Sequence, residues 1–282
     1  HELFETLLYG DQPAGWDTVG TPETLKSLKR KDFLDYWQSQ YVGSNAVVVL
    51  AGNFEEAAAK RSLEGIFKRI KKGKAKSKLS VRETQNAPAL KLEYKETDQS
   101  HLVMGVRGYH MFDKDRYAAA LLATILGGKT SSRLFQEIRE KHGLAYALSA
   151  SSENYTDSGY VSLYAGVPHE KLQEVVERVT KAFRKMRYGG GSKNELARAK
   201  DFYRGHFAIG LESSDEVASF FGGQELFYKK TIQPEEEMTH IDAVTVSDIA
   251  RVAKRMFTSK NMNVAIIGPH KDAALFLPLV KI

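Results

Sequence analysis

Slid against itself by 216 residues, the chain matches without a gap: LKRKDFLDYWQSQYVGSNAVVVLAG at 28–52 falls on VTVSDIARVAKRMFTSKNMNVAIIG at 244–268. Asp32 meets Asp248, Phe33 meets Ile249, Tyr41 meets Phe257, Asn45 meets Asn261 and Gly52 meets Gly268. Each copy reads as a helix of period 3.6, a short turn around the Asn, and an apolar strand that ends at Gly. One or two such identities arise by chance, but the shared order of helix, turn, strand and Gly points to duplication. The repeat sets the expected plan: 1–72 as the remnant of a first copy, 73–89 as a linker, and 90–282 as a second copy. A first copy as long as the second would start roughly 125 residues before His1. The expectation is therefore a fragment, a processed product, or a protein whose other half is a separate chain.

The rest of the chain fills this plan with ordinary globular material. Of its 282 residues 42% are hydrophobic and 10% aromatic, enough to fill sizeable cores. No run approaches the length of apolar residues needed to span a bilayer. With no cysteine, neither a disulfide nor a thiolate metal site can form, and the chain suits either redox compartment. The net charge of +6 is local, because the seven Lys and Arg of RIKKGKAKSKLSVR at 69–82 account for more than all of it. That tract has no interleaved aromatics for stacking on single-stranded nucleic acid, so it reads as a solvated linker.

Thr21 and Pro22 should open a helix that sets Leu25, Leu28, Phe33, Trp37 and Tyr41 largely on one side. A buried strand is expected over 45–51 and a helix over about 54–70. In the second copy, strands are expected at 90–96, 100–107, 146–152 and 159–166, with helices at 116–126, 133–143, 169–187 and from Ser192 to about Tyr228. Ser192 and Glu195 form an S-x-x-E capping box, and Gly143 ends the helix before it in the C′ position. Gly205, Gly210 and the Gly222–Gly223 pair are expected to kink or break the long last region. The fold class is α+β, with a mixed, mainly antiparallel sheet covered by helices.

The motifs for chemistry are few. Gly-Lys-Thr at 128–130 resembles the end of a phosphate loop, but Ala123 stands where that pattern needs Gly, and an apolar helix precedes it instead of a strand. None of the eight histidines sits in H-E-x-x-H or H-x-x-E-H, so the ligand pair of a zinc peptidase is missing. REKHGLAY at 139–146 is different. Arg139 lies in the last turn of a helix, Gly143 reverses the backbone and Tyr146 opens a strand, so one corner can hold a cation and a phenol. The competing expectation buries Tyr146 in the core and pairs Arg139 with Glu137 or Glu140.

LGGKTSSRLFQEIREKHGLAYALSA strongly resembles the signature of the C-terminal half of pitrilysin-like (inverzincin) zinc metallopeptidases, the group that includes the mitochondrial processing peptidase. YGDQPAGWDTVGTPETLKSLKRKDFLDYWQSQYVGSNAVVVLAGNF resembles the end of that family's first half, and ELARAKDFYRGHFAIGLESSDEVA the helical region late in its second half. The resemblance implies a duplicated processing-peptidase-like unit with the first copy truncated. It implies zinc ligands only in the missing half or a partner, none in this chain, and a substrate-binding pair at Arg139 and Tyr146. It further implies a peptide or unfolded polypeptide substrate, with a zinc-bearing half or partner subunit as companion in a homo- or heterodimer. The chain alone is then expected to be inactive: the substrate-binding half of a zinc-dependent endopeptidase, or alternatively a non-catalytic structural or assembly subunit of the same fold.

Overall fold

The computed structural model describes all residues, 1–282. Helices α1 (Glu2–Tyr9), α2 (Pro22–Ser27), α3 (Arg30–Gln40) and α4 (Glu56–Phe67) precede strands β1 (Ala89–Tyr94) and β2 (Ser100–Arg107). Next come α5 (Arg116–Gly127), a π-helical turn over Phe135–Glu140, β3 (Ala147–Asn154) and β4 (Gly159–Val167). The chain closes with α6 (Leu172–Gly189), α7 (Lys193–Ile209), α8 (Ser214–Tyr228), α9 (Pro234–Ala243), α10 (Val246–Met256) and β5 (Asn263–Gly268). It separates into two compact units: His1–Asp17 with Ser80–Arg204 and Met238–Ile282, and Thr18–Leu79 with Gly205–Glu237.

The first unit is the expected α+β sandwich. Its five strands lie in the order β1-β5-β2-β4-β3, with β1 and β5 parallel and every other pair antiparallel. Strand alternation decides what each face meets. Leu102, Met104 and Val106 of β2, Leu163 and Ala165 of β4, and Val264 and Ile266 of β5 enter one core with the apolar sides of α5, α6 and α10. The opposite face carries Val103, Tyr160 and Ala265, against which α1 buries Phe4, Leu8 and Tyr9. Gly105 makes that approach possible, since a Cβ there would stand 2.8 Å from the Phe4 ring. Glu5 accepts hydrogen bonds from the hydroxyls of Tyr155 and Tyr160 at 2.7 and 2.9 Å. Burial, and then the Glu5 carboxylate, push both phenols up. The stretch expected to be linker is partly tied down here: Val81 N–H bonds Asp157 at 3.0 Å and Arg82 N–H bonds Gln12 at 2.9 Å.

The repeat recurs residue for residue through its helix and turn. α3 and α10 begin and end at positions 216 apart, as do the 3₁₀ turns Gly43–Asn45 and Ser259–Asn261. Asn45 Nδ2 donates to Gln40 C=O at 3.1 Å, and Asn261 Nδ2 donates to Met256 C=O at 3.0 Å. The caps match in one arm only. Thr245 and Asp248 bond reciprocally at 2.9 and 3.2 Å, whereas at the first copy only Asp32 accepts from Lys29 N–H, because a lysine side chain has no acceptor.

The strand does not recur. Residues 263–268 pair on both sides, but 46–51 join no ladder, and Val48 and Leu50 stay about half exposed. The expectation of a buried strand at 45–51 is therefore corrected: a strand needs neighbours, and the second unit supplies none. The single helix expected after Pro22 is likewise two, broken at Leu28–Lys29, with no buried residue in either. Of the expected glycine breaks only the one at Gly210 occurs; Gly205, Gly222 and Gly223 sit inside α7 and α8.

Candidate functional site

The signature segment builds one corner of the sheet unit. Leu134 and Ile138, both fully buried, pin the helical turn to the core. Lys141 N–H reaches back five residues to Gln136 C=O at 3.0 Å, the wide pattern of a π turn, which recurs at functional sites. Gly143 then reverses the chain at φ 59°, its N–H bonding Arg139 C=O at 3.0 Å, while Leu144 N–H bonds Ile138 C=O at 2.8 Å. A residue with a Cβ is strained in that conformation, so the glycine fixes the turn. Tyr146 N–H joins the end of β4 through Gly166 C=O at 3.1 Å, one residue ahead of β3.

This path brings Arg139 and Tyr146 together in the open. The guanidinium carbon lies 5.7 Å from the Tyr146 ring centre and 5.0 Å from that of Phe135. Tyr146 is 81% exposed. Arg139 enters no salt bridge, because Glu137 is held by Arg178 at 2.7 Å and by Lys141 at 3.8 Å, and Arg178 also grips Glu174 at 2.8 Å. The alternative of a buried Tyr146 and an Arg139 paired with Glu137 or Glu140 does not describe this corner. Chemically, a cation with five N–H donors and a phenol hydroxyl face solvent side by side, a pair suited to carbonyl or carboxylate oxygens.

A brace runs from the start of the same segment to α7. Arg133 Nε and Nη2 donate to the two carboxylate oxygens of Glu195 at 2.6 and 2.8 Å, and Nη2 also donates to Gly190 C=O at 2.9 Å. Glu195 completes the expected capping box, accepting from Ser192 N–H at 2.8 Å while its own N–H donates to the Ser192 hydroxyl at 3.2 Å. Arg133 chiefly, with Ser192, pulls the Glu195 carboxyl down to about 2.

Sequence reasoning missed a second polar cluster. Ser100, fully buried, bonds His169 Nδ1 at 2.8 Å and His270 Nε2 at 2.7 Å. His169 Nε2 faces Thr97 C=O at 2.8 Å, so it carries the proton there. Ser100 then donates to His169 Nδ1 and accepts from His270 Nε2. No spacing in the sequence could have flagged three residues so far apart. The cluster does not fit zinc, since a hydroxyl sits between only two imidazoles, and nowhere do three His, Asp or Glu side chains converge as metal ligands. No helix is long and apolar enough to cross a membrane.

A family model described as the peptidase M16 inactive domain matches residues 27–203. An uncharacterized zinc protease of Mycobacterium leprae is 31% identical over 272 residues, 95% of this chain and 61% of that protein. The uncharacterized zinc protease YmxG of Bacillus subtilis is 30% identical over 270 residues, 95% of this chain and 65% of that protein. The chain thus spans less than two thirds of these relatives. Among solved structures, the peptidase M16 inactive domain from Pseudomonas fluorescens superposes with a TM-score of 0.86 at 20% identity, covering 96% of this chain and 64% of that one. A chain of complex III2 from Candida albicans superposes at 0.87 and 19% identity, covering all of this chain and 69% of that one.

Proposed function

The chain belongs to the peptidase M16 inactive-domain family, and from that premise we propose that it is the substrate-binding half of a zinc-dependent endopeptidase acting on peptides or unfolded polypeptides. The observation that carries the reading is the exposed Arg139–Tyr146 pair, held at one corner with no acid on the guanidinium. In this role Arg139 and Tyr146 donate hydrogen bonds to backbone carbonyls of an extended peptide and steady charge that develops on them. The zinc belongs to another half, either in the same polypeptide or in a partner chain. The names and lengths of the zinc protease relatives support that division, and on this reading the repeat boundaries fall at 1–72, 73–89 and 90–282.

α3 supports the same need for a companion. Phe33, Tyr36 and Trp37 are 62%, 64% and 57% exposed, whereas Ile249, Val252 and Ala253 at the equivalent positions of α10 are fully buried. A face that its twin buries is a face built to be covered.

The alternative is a non-catalytic structural or assembly subunit of the same fold, favoured by the likeness to a chain of complex III2. Joining the chain to a zinc-bearing half separates the two. Peptide hydrolysis that depends on both halves and falls in Arg139→Ala supports the peptidase reading; stable assembly with no hydrolysis supports the scaffold.

A further inference from the structure

We propose that Phe135 is a positioning residue of this corner, whose ring holds the Arg139 guanidinium beside Tyr146; the inference rests on the reading that Arg139 and Tyr146 bind peptide. An arginine on a helix end, with several rotatable bonds and no carboxylate partner, would sample many conformers, and ordering it on binding would weaken affinity. Here the guanidinium carbon instead lies over two rings, with Phe135 the nearer at 5.0 Å.

The two rings are not equivalent. Tyr146 projects into solvent, so it cannot fix its neighbour. Phe135 is half-buried against the main core, next in sequence to the fully buried Leu134. The wide turn closed by Lys141 and Gln136 brings residues four apart nearly one above the other, which sets Phe135 under Arg139. Arg178 and Lys141 meanwhile hold Glu137, the acid on the same turn, away from the guanidinium. Packing thus places the ring, the ring places the cation, and the donors stay available to a ligand. Lysine could not replace arginine here, because a compact ammonium neither stacks nor presents a planar fork.

The test uses the full chain, labelled with ¹⁵N, and a fluorescein-labelled tryptic peptide of casein as the binding probe. The Arg139 Nε–H resonance, assigned by its loss in Arg139→Lys, should be displaced by the ring currents of Phe135 and Tyr146. Phe135→Leu is expected to return that resonance toward the position of a free arginine and to weaken peptide binding about three- to five-fold. Phe135→Tyr, which keeps the ring, should restore both. An unmoved resonance and unchanged affinity in Phe135→Leu would overturn the proposal. So would equal losses in Phe135→Leu and Phe135→Tyr, which would assign Phe135 to core packing alone. If Arg139→Ala binds the probe as the unmodified chain does, or the unmodified chain does not bind it, the peptide-binding reading itself fails. The resonance still reports separately whether Phe135 holds the guanidinium.

Discussion

Tyr146 offers a hydroxyl and almost no packing, so Tyr146→Phe isolates its chemistry. In the chain joined to a zinc-bearing half, kcat/KM should fall about ten-fold, while stability stays within about 0.5 kcal/mol. Steady-state kinetics beside a thermal melt reads both. Arg133 is the opposite case, a residue whose guanidinium is engaged inside the fold by Glu195 and Gly190. Arg133→Ala removes the guanidinium from Glu195, leaving only the Ser192 N–H on its carboxylate, and should cost about 2 kcal/mol in denaturant unfolding. Because the folded Glu195 carboxyl titrates at about 2 rather than near 4.5, the folded state binds fewer protons in that window. Its contribution is complete above pH 4.5 and is lost as pH falls toward 2. Glu195→Gln should flatten acid unfolding there. What was legible at this scale follows distance along the chain. The Ser192–Glu195 box is three residues wide and could be read directly. Arg133 reaches Glu195 across 62 residues and could not, while Gly143 marked the corner that Arg139 and Tyr146 share but not that both stand exposed there.

The two copies of the helix-turn unit make a controlled comparison at the level of elements. Thr245 caps α10 and its cognate Lys29 caps nothing through its side chain, so Thr245→Ala should cost about 1 kcal/mol and Lys29→Ala close to none, by urea titration. Charge on the apolar faces should separate them further. Ile249→Glu buries an unpaired carboxylate in the main core and should unfold the sheet unit. Phe33→Glu with Trp37→Glu should leave the melt unchanged and abolish association with a zinc-bearing half in a pull-down. Helical period located both faces in the sequence, because period reports which side is apolar. It does not report whether anything lies against that side, and the apolar run at 45–51, read as a buried strand from its composition and its match to the second copy, has the same limit. The parallel pairing of β1 with β5, between segments near opposite ends of the second copy, has no local signal either.

Across the whole molecule, pH acts through His270, which the buried Ser100 joins to His169. Burial, and then His169, lower the His270 pKa from its ordinary 6.5, so the folded state resists protonation. The stability it supports is present above that value and lost as pH falls below it. Melting temperatures between about pH 5 and 8 should show that loss, and His270→Gln should lessen it. The length of 46–51 carries a consequence for handling the protein. AVVVLA is six residues of high β-propensity with no charge and no proline, and its backbone is in no ladder. Such a segment templates the strands of other molecules. Purified alone, the chain should form concentration-dependent oligomers visible by light scattering, and Val48→Lys should disperse them. Co-expression with whatever covers that segment would then act as a solubility factor, raising yield before any peptide is cut.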